Sequence, residues 1–164
     1  MTNETQNQIK AVLPRPETSP TKVVIFDVDG TLADNSHRQH WVRNKPRNWA
    51  AYNATMADDK PIQNIINMTH IMKYFYKVIV VTARNADNKD VTEKWLEKYG
   101  VHYEAIYFRE EKDYRDDTVV KSEILDQIIA DGYEPVMVFD DRNKVVDMWR
   151  ERGITCLQVA PGDF

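Results

Sequence analysis

The feature that most constrains this chain is a pair of carboxylates delivered at the end of an apolar run. Val23-Val24-Ile25-Phe26 is followed at once by Asp27-Val28-Asp29-Gly30-Thr31. The run predicts a buried strand over 22–28, and strands of an open α/β sheet end at the rim where ligands bind. Two carboxylates two positions apart repel there, and desolvating each one costs several kcal/mol. A divalent cation removes that cost and adds a charge that attracts phosphate. Asp-Gly is also an ordinary turn pair, so a solvated strand–turn junction is the weaker alternative for this segment by itself.

Later segments repeat the pattern of a hydrophobic strand with polar residues at its carboxyl end. Val78-Ile79-Val80-Val81 runs into Thr82-Ala83-Arg84, and Val136-Met137-Val138-Phe139 runs into Asp140-Asp141-Arg142. Between them Lys121 opens an amphipathic segment in which Ile124, Leu125, Ile128 and Ile129 follow helical spacing. Strands are predicted at 22–28, 77–82, 104–108, 135–139 and 154–159, and helices at 60–75, 89–99, 118–131 and 143–152. This alternation implies an α/β fold, doubly wound, with a mainly parallel sheet. Ile62, Ile65, Ile66, Met72 and Phe75 are expected to pack helix 60–75 onto the sheet, as are Trp95, Met148 and Trp149 on later helices. Such a sheet brings a nucleophilic carboxylate, a second carboxylate, a hydroxyl, a fixed cation and an acidic pair to one rim. That is the inventory for moving a phosphoryl group.

In this order the motifs resemble the haloacid dehalogenase (HAD) superfamily of phosphohydrolases, across about residues 22–164. The second half is more specific. Val80-Val81-Thr82-Ala83-Arg84, Arg115 to Lys121, Phe139-Asp140-Asp141-Arg142, Val145 to Arg150 and the ending Gln158 to Phe164 are similar to the 3′-phosphatase domains of bacteriophage polynucleotide kinase/phosphatases. Thr82-Ala83-Arg84 stands where the family has Ser-Gly-Arg, which keeps the hydroxyl, and Thr118 replaces an acidic residue. The resemblance implies a HAD-like, Rossmannoid domain with a small helical cap after the first strand. It implies Asp27 as nucleophile, Asp29 as general acid and base with a raised pKa, and Lys121 as the cation that stabilises transferring charge. Thr31, Arg38, Thr82 and Arg84 are expected to meet the substrate. Asp117 joins them, favoured over Asp116 by its spacing from Lys121. Mg²⁺ is the expected cofactor, held by Asp27, the backbone carbonyl of Asp29 and the Asp140/Asp141 pair, with Asp141 favoured as direct ligand.

The segment from Asn35 to Ala57 contains no acidic residue, although the chain carries a net charge of −4. It holds Arg38, Arg43, Lys45 and Arg47, with His37, His40, Trp41, Trp49 and Tyr52 interleaved. Cations attract a phosphate backbone and aromatics stack unpaired bases. The same aromatics could instead pack the cap onto the sheet. Residues 34–58 are expected to form that cap, and 1–21, with three prolines, a flexible leader before the phosphatase domain at 22–164.

Composition narrows the setting. A hydrophobic content of 42% fits a globular chain, and no apolar run approaches the ~20 residues of a membrane helix. The single cysteine, Cys156, suits a reduced, cytoplasmic compartment and reads as packing. No two glycines are five apart, so no phosphate-cradling kinase loop is expected. The expected activity is removal of terminal 3′ phosphates from DNA or RNA, in nucleic-acid repair of a phage-infected bacterium. A nucleotidase of small phosphomonoesters is the alternative, and a non-catalytic nucleic-acid-binding module a more distant one. The sequence leaves the oligomeric state open.

Overall fold

The computed structural model describes residues 19–163. In chain order the elements are β1 (Thr21–Phe26), β2 (Ala33–Asp34), α1 (His40–Arg43), α2 (Trp49–Ala54), β3 (Lys60–Pro61), α3 (Gln63–Met72), β4 (Lys77–Asn85), α4 (Lys89–Lys98), β5 (Ala105–Arg109), α5 (Asp117–Ala130), β6 (Tyr133–Asp140), α6 (Asn143–Glu151) and β7 (Thr155–Gln158). Short 3₁₀ turns at Ser36–Arg38, Met56–Asp58 and Ala86–Asn88 link them. Residues 1–18 of the expected leader lie outside the described residues.

β1 sends alternate side chains into two separate cores. Val23 and Ile25 join Val120, Leu125, Val138, Val146 and Trp149 on one face. Val24 and Phe26 join Ile66, Val80, Trp95, Leu96 and Phe139 on the other. A strand buried on both faces belongs at the centre of a parallel sheet, and the order is β5-β4-β1-β6-β7 with every pair parallel. α5 and α6 cover one face, α3 and α4 the other, as expected of a doubly wound sheet. Phe26 and Phe139, partners across β1 and β6, stack with centroids 4.5 Å apart at the floor of the rim.

Three local expectations change. Phe75 is 74% exposed rather than core. α3 ends at Met72, and the amides of Tyr74 and Phe75 turn back to the carbonyls of Ile71 and Met72, which takes residue 75 off the helical face. Ile129 is exposed, while Ile124, Leu125 and Ile128 are buried as expected. Lys121 sits in the second turn of α5 instead of opening it, because Asp116 caps the helix by accepting the amide of Thr118. Trp95, Met148 and Trp149 are buried.

The segment expected as a cap holds α1 and α2. Its two ends are stapled by the antiparallel β2–β3 pair, Ala33 opposite Pro61 and Asp34 opposite Lys60. Among the described residues no helix is long and apolar enough to cross a membrane.

Candidate active site

The carboxyl ends of β1 and β6 lie side by side, since Phe26 pairs with Phe139 and the Asp27 amide donates to the Phe139 carbonyl at 3.0 Å. This register brings Asp27 beside Asp140 and Asp141. Lys121 reaches the same point from α5. Its Nζ donates to Asp27 Oδ1 and to Asp140 Oδ2, both at 2.7 Å, and all three side chains are buried. A lysine there would lose its proton to burial, but the two carboxylates outweigh that and hold it charged.

Asp140 is fully engaged. Oδ2 also accepts the Trp149 indole N–H at 3.2 Å, and Oδ1 accepts the amides of Asp141 and Arg142. Asp141 is different: among the described residues no other side chain donates a hydrogen bond to its carboxylate, which meets only its own backbone amide. Burial and the Asp140 charge push its pKa up to about 6. Burial raises Asp27 well above the carboxylate range too, with Lys121 only partly opposing. Oxygens of Asp27, Asp140 and Asp141 come within 4.8 Å of one another. Hard oxygen donors in a cluster short of positive charge fit Mg²⁺, with Asp141 the freer ligand and Asp140 the residue that orients Lys121.

Gly30 makes room for this arrangement. Its φ is +88°, and a Cβ there would stand 2.1 Å from Asp141 Oδ2. Gly162 does the same from the chain's end, where a Cβ would stand 2.1 Å from the Asp141 carbonyl.

Asp29 departs from expectation. Past Phe26 the chain leaves the strand and turns, with the amides of Leu32 and Ala33 both on the Val28 carbonyl. Asp29 therefore faces the cap, where Arg38 Nη2 donates to Oδ1 at 2.5 Å and Arg84 grips both oxygens at 2.8 and 2.9 Å. Burial pushes the carboxyl up, but the two guanidiniums win and hold it at about 2. The raised pKa expected of it is overturned, because its neighbours are arginines rather than Asp27.

Sequence reasoning also missed Asp59, which is fully buried. It accepts from Arg38 at 2.6 and 2.7 Å and from Arg84 at 2.8 Å, and His37 Nε2 lies 2.9 Å away. Its own carbonyl takes the Trp95 indole N–H at 2.8 Å. Two buried arginines are thus neutralised by two aspartates. The available signal was position: Asp58-Asp59 closes the acid-free basic segment.

The residues expected to meet substrate are largely turned inward. Arg38 and Arg84 are buried in this network, with Arg84 Nη1 also on Thr92 Oγ1. The Thr82 hydroxyl accepts the Arg84 amide at 3.1 Å and is closed to solvent. Thr31 is fully buried, and its Oγ1 has no hydrogen-bond partner. Asp117 pairs with both Arg109 and Arg142, joining the start of α5 to the ends of β5 and β6. Cys156 is buried, its thiol pushed up to about 12 by burial, which fits packing.

Comparison with known proteins identifies the family. The family described as the polynucleotide kinase PNKP phosphatase domain matches residues 21–164. A chain in the Pnkp1/Rnl/Hen1 complex is 35% identical, with a TM-score of 0.75, over 90% of this chain and 49% of that one. Another, in the Pnkp1/Rnl/Hen1 RNA repair complex, is 32% identical with a TM-score of 0.74, over 98% and 49%. A protein of Autographa californica nuclear polyhedrosis virus, described as a bifunctional polynucleotide kinase/RNA ligase, is 25% identical over 133 residues, 79% of this chain and 18% of that protein. The chain thus spans half or less of these relatives. A haloacid dehalogenase-like hydrolase of Streptococcus pneumoniae, 16% identical with a TM-score of 0.61 over 86% and 85%, shares the fold. With its rim so arranged and its family matched from residue 21 to the end, the chain belongs to the polynucleotide kinase PNKP phosphatase domains, a HAD-like hydrolase family.

Proposed function

We propose that the chain is a Mg²⁺-dependent phosphatase of nucleic-acid 3′ ends that works through an aspartyl-phosphate on Asp27. The observation that carries this reading is the buried Lys121 ammonium bridging Asp27 and Asp140 beside the Asp141 carboxylate, which no other side chain engages among the described residues. Lys121 occupies Oδ1 of Asp27, which leaves Oδ2 to attack phosphorus in line. The bond from phosphorus to the 3′ oxygen breaks, and that oxygen takes a proton from Asp29. Water then gives a proton to Asp29 and attacks phosphorus, releasing phosphate and restoring Asp27.

Asp29 starts this cycle ionised, held so by Arg84 and Arg38. An incoming phosphate competes for those guanidiniums. As they turn toward it, their hold on Asp29 relaxes and the carboxyl takes up from solvent the proton it then donates. The proton it later gains from water returns to solvent when phosphate leaves and the guanidiniums close on Asp29 again. Asp27, Asp141 and the Asp29 carbonyl would hold Mg²⁺, which when bound neutralises carboxylate and phosphate charge. Lys121 supplies a fixed cation for the charge spreading over the transferred group. Membership of the PNKP phosphatase family and likeness to chains of an RNA repair complex favour a polynucleotide end as substrate.

The test is turnover of a 3′-phosphorylated oligonucleotide against its 5′-phosphorylated counterpart, a 3′-mononucleotide and a 5′-mononucleotide, with Mg²⁺ and with chelator. The reading expects the 3′-phosphorylated oligonucleotide to be used best, and only with metal. Equal or better use of the mononucleotides would instead make the chain a nucleotidase.

A further inference from the structure

The chain's four tryptophans divide into two kinds. Trp95 and Trp149 are 2% and 0% exposed, each with its indole N–H on an oxygen acceptor. Trp41 and Trp49, in the cap, are 39% and 54% exposed, and among the described residues no hydrogen bond engages either indole. Both line one groove of about 650 Å³ between α1 and α2, together with His40, Pro46, Arg47 and Asn48. That volume is within the ~300–1,000 Å³ of small-ligand clefts. The groove is braced rather than slack. The Asn48 amide donates to the Trp41 carbonyl at 2.8 Å, and the Asn48 side chain caps α2 by accepting the Ala51 amide at 3.0 Å.

Charge says what the groove suits. Arg43, Lys45 and Arg47 are exposed, and among the described residues none has a carboxylate partner. No acidic residue lies between Asn35 and Ala57, so these positive charges add up locally although the chain's net charge is −4. Exposed aromatic faces flanked by unpaired cations match a strand of unpaired bases and its phosphates.

The groove is also coupled to the rim. The Trp49 ring meets Tyr52 edge-on at 5.7 Å, the Arg38 guanidinium covers the Tyr52 ring at 4.1 Å, and Arg38 bonds Asp29.

We propose that the groove between α1 and α2 binds the single-stranded nucleotides preceding the phosphorylated 3′ end, with Trp49 and Trp41 as stacking platforms and Arg47 as a phosphate contact. This rests on the 3′-phosphatase reading and adds to it a site that makes strand length count. Affinity rises with each nucleotide until the groove is filled and is flat beyond.

The test uses the full chain with a 3′-phosphorylated single-stranded octanucleotide and the matching 3′-mononucleotide. Trp49→Ala is expected to raise KM for the octanucleotide about 10-fold, the loss of one base–aromatic stack, and Trp49→Phe to restore most of it. The preference for octanucleotide over mononucleotide shrinks accordingly. Arg47→Ala is expected to flatten the log–log salt dependence of octanucleotide binding by about 0.7, one single-strand phosphate contact. In a parallel titration with chelator present, the octanucleotide should quench tryptophan fluorescence saturably in the unaltered chain and much less in Trp49→Ala. An unchanged KM in Trp49→Ala, or quenching that does not depend on Trp49, overturns the groove and leaves the phosphatase reading intact. If the unaltered chain hydrolyses neither substrate, the phosphatase reading fails, and the fluorescence titration alone decides the groove.

Discussion

The rim of the sheet and the cap above it use the same side chains to opposite ends. At the rim the charges are largely buried and, Asp141 apart, matched. Lys121 lies between Asp27 and Asp140, and Arg38 and Arg84 lie between Asp29 and Asp59. In the cap the cations Arg43, Lys45 and Arg47 stand in solvent without partners. Matched buried charges are held in one geometry, because breaking a pair strands the other member in a medium that cannot solvate it. Unmatched exposed cations cost nothing to leave free and remain available to an anion. In the proposed reading the rim does chemistry on a fixed frame and the cap receives a ligand.

The contrast breaks first if Lys121 is not fixed in this way. Lys121→Met should lower turnover by about 10³-fold, on the scale of losing one preorganised electrostatic contact to the reacting group. Steady-state kinetics on a 3′-phosphorylated oligonucleotide measures it, and a loss below about 10-fold would make the lysine structural. Next comes Asp59. Asp59→Ala leaves Arg38 and Arg84 buried with only Asp29 between them, and should destabilise the fold by about 3–5 kcal/mol. Thermal unfolding should show a midpoint lower by roughly 10 °C. The same change in the cap should be small: Arg43→Ala should leave stability within about 0.5 kcal/mol, since it removes no contact of the folded chain.

Between these lies a pH-dependent effect. Asp141 titrates near 6 in the folded chain, against ~3.9 unfolded. The folded state holds that proton more tightly, so this contribution to stability is complete below pH ~4 and is lost as pH rises through 6. Above that, the metal-free chain carries an uncompensated carboxylate. Saturating Mg²⁺ should then stabilise it by about 2.7 kcal/mol at 100 times Kd, roughly 5–10 °C in midpoint. The gain should shrink as pH drops from 7.5 to 5, when protons replace the metal. A metal-induced gain independent of pH would mean that Asp141 is not a ligand.

The rim's geometry was readable in the sequence where position follows directly from strand ends. Asp27, Asp140 and Asp141 each terminate an apolar run, so locating β1 and β6 located them. Lys121 was readable from its place among the helical apolar residues of α5. Asp29 was misread because adjacency in sequence suggested adjacency in space. The chain leaves the strand after Phe26, and two positions no longer mean the same side. Asp59 and its arginines could not be read at all. Their meeting depends on the cap returning over β4, which the tertiary fold decides and no local pattern announces. Phe75 was lost for a smaller reason, a helix that stops three residues before it.

The central claim is that a carboxylate oxygen of Asp27 becomes bonded to the transferred phosphoryl group. Acid quenching of a single turnover on a 3′-³²P-labelled oligonucleotide, followed by peptide mapping, tests it directly. The account predicts transient label on the peptide carrying Asp27 and none in Asp27→Asn, which should also fail to release phosphate. Label on any other residue, or full phosphate release by Asp27→Asn, would contradict it.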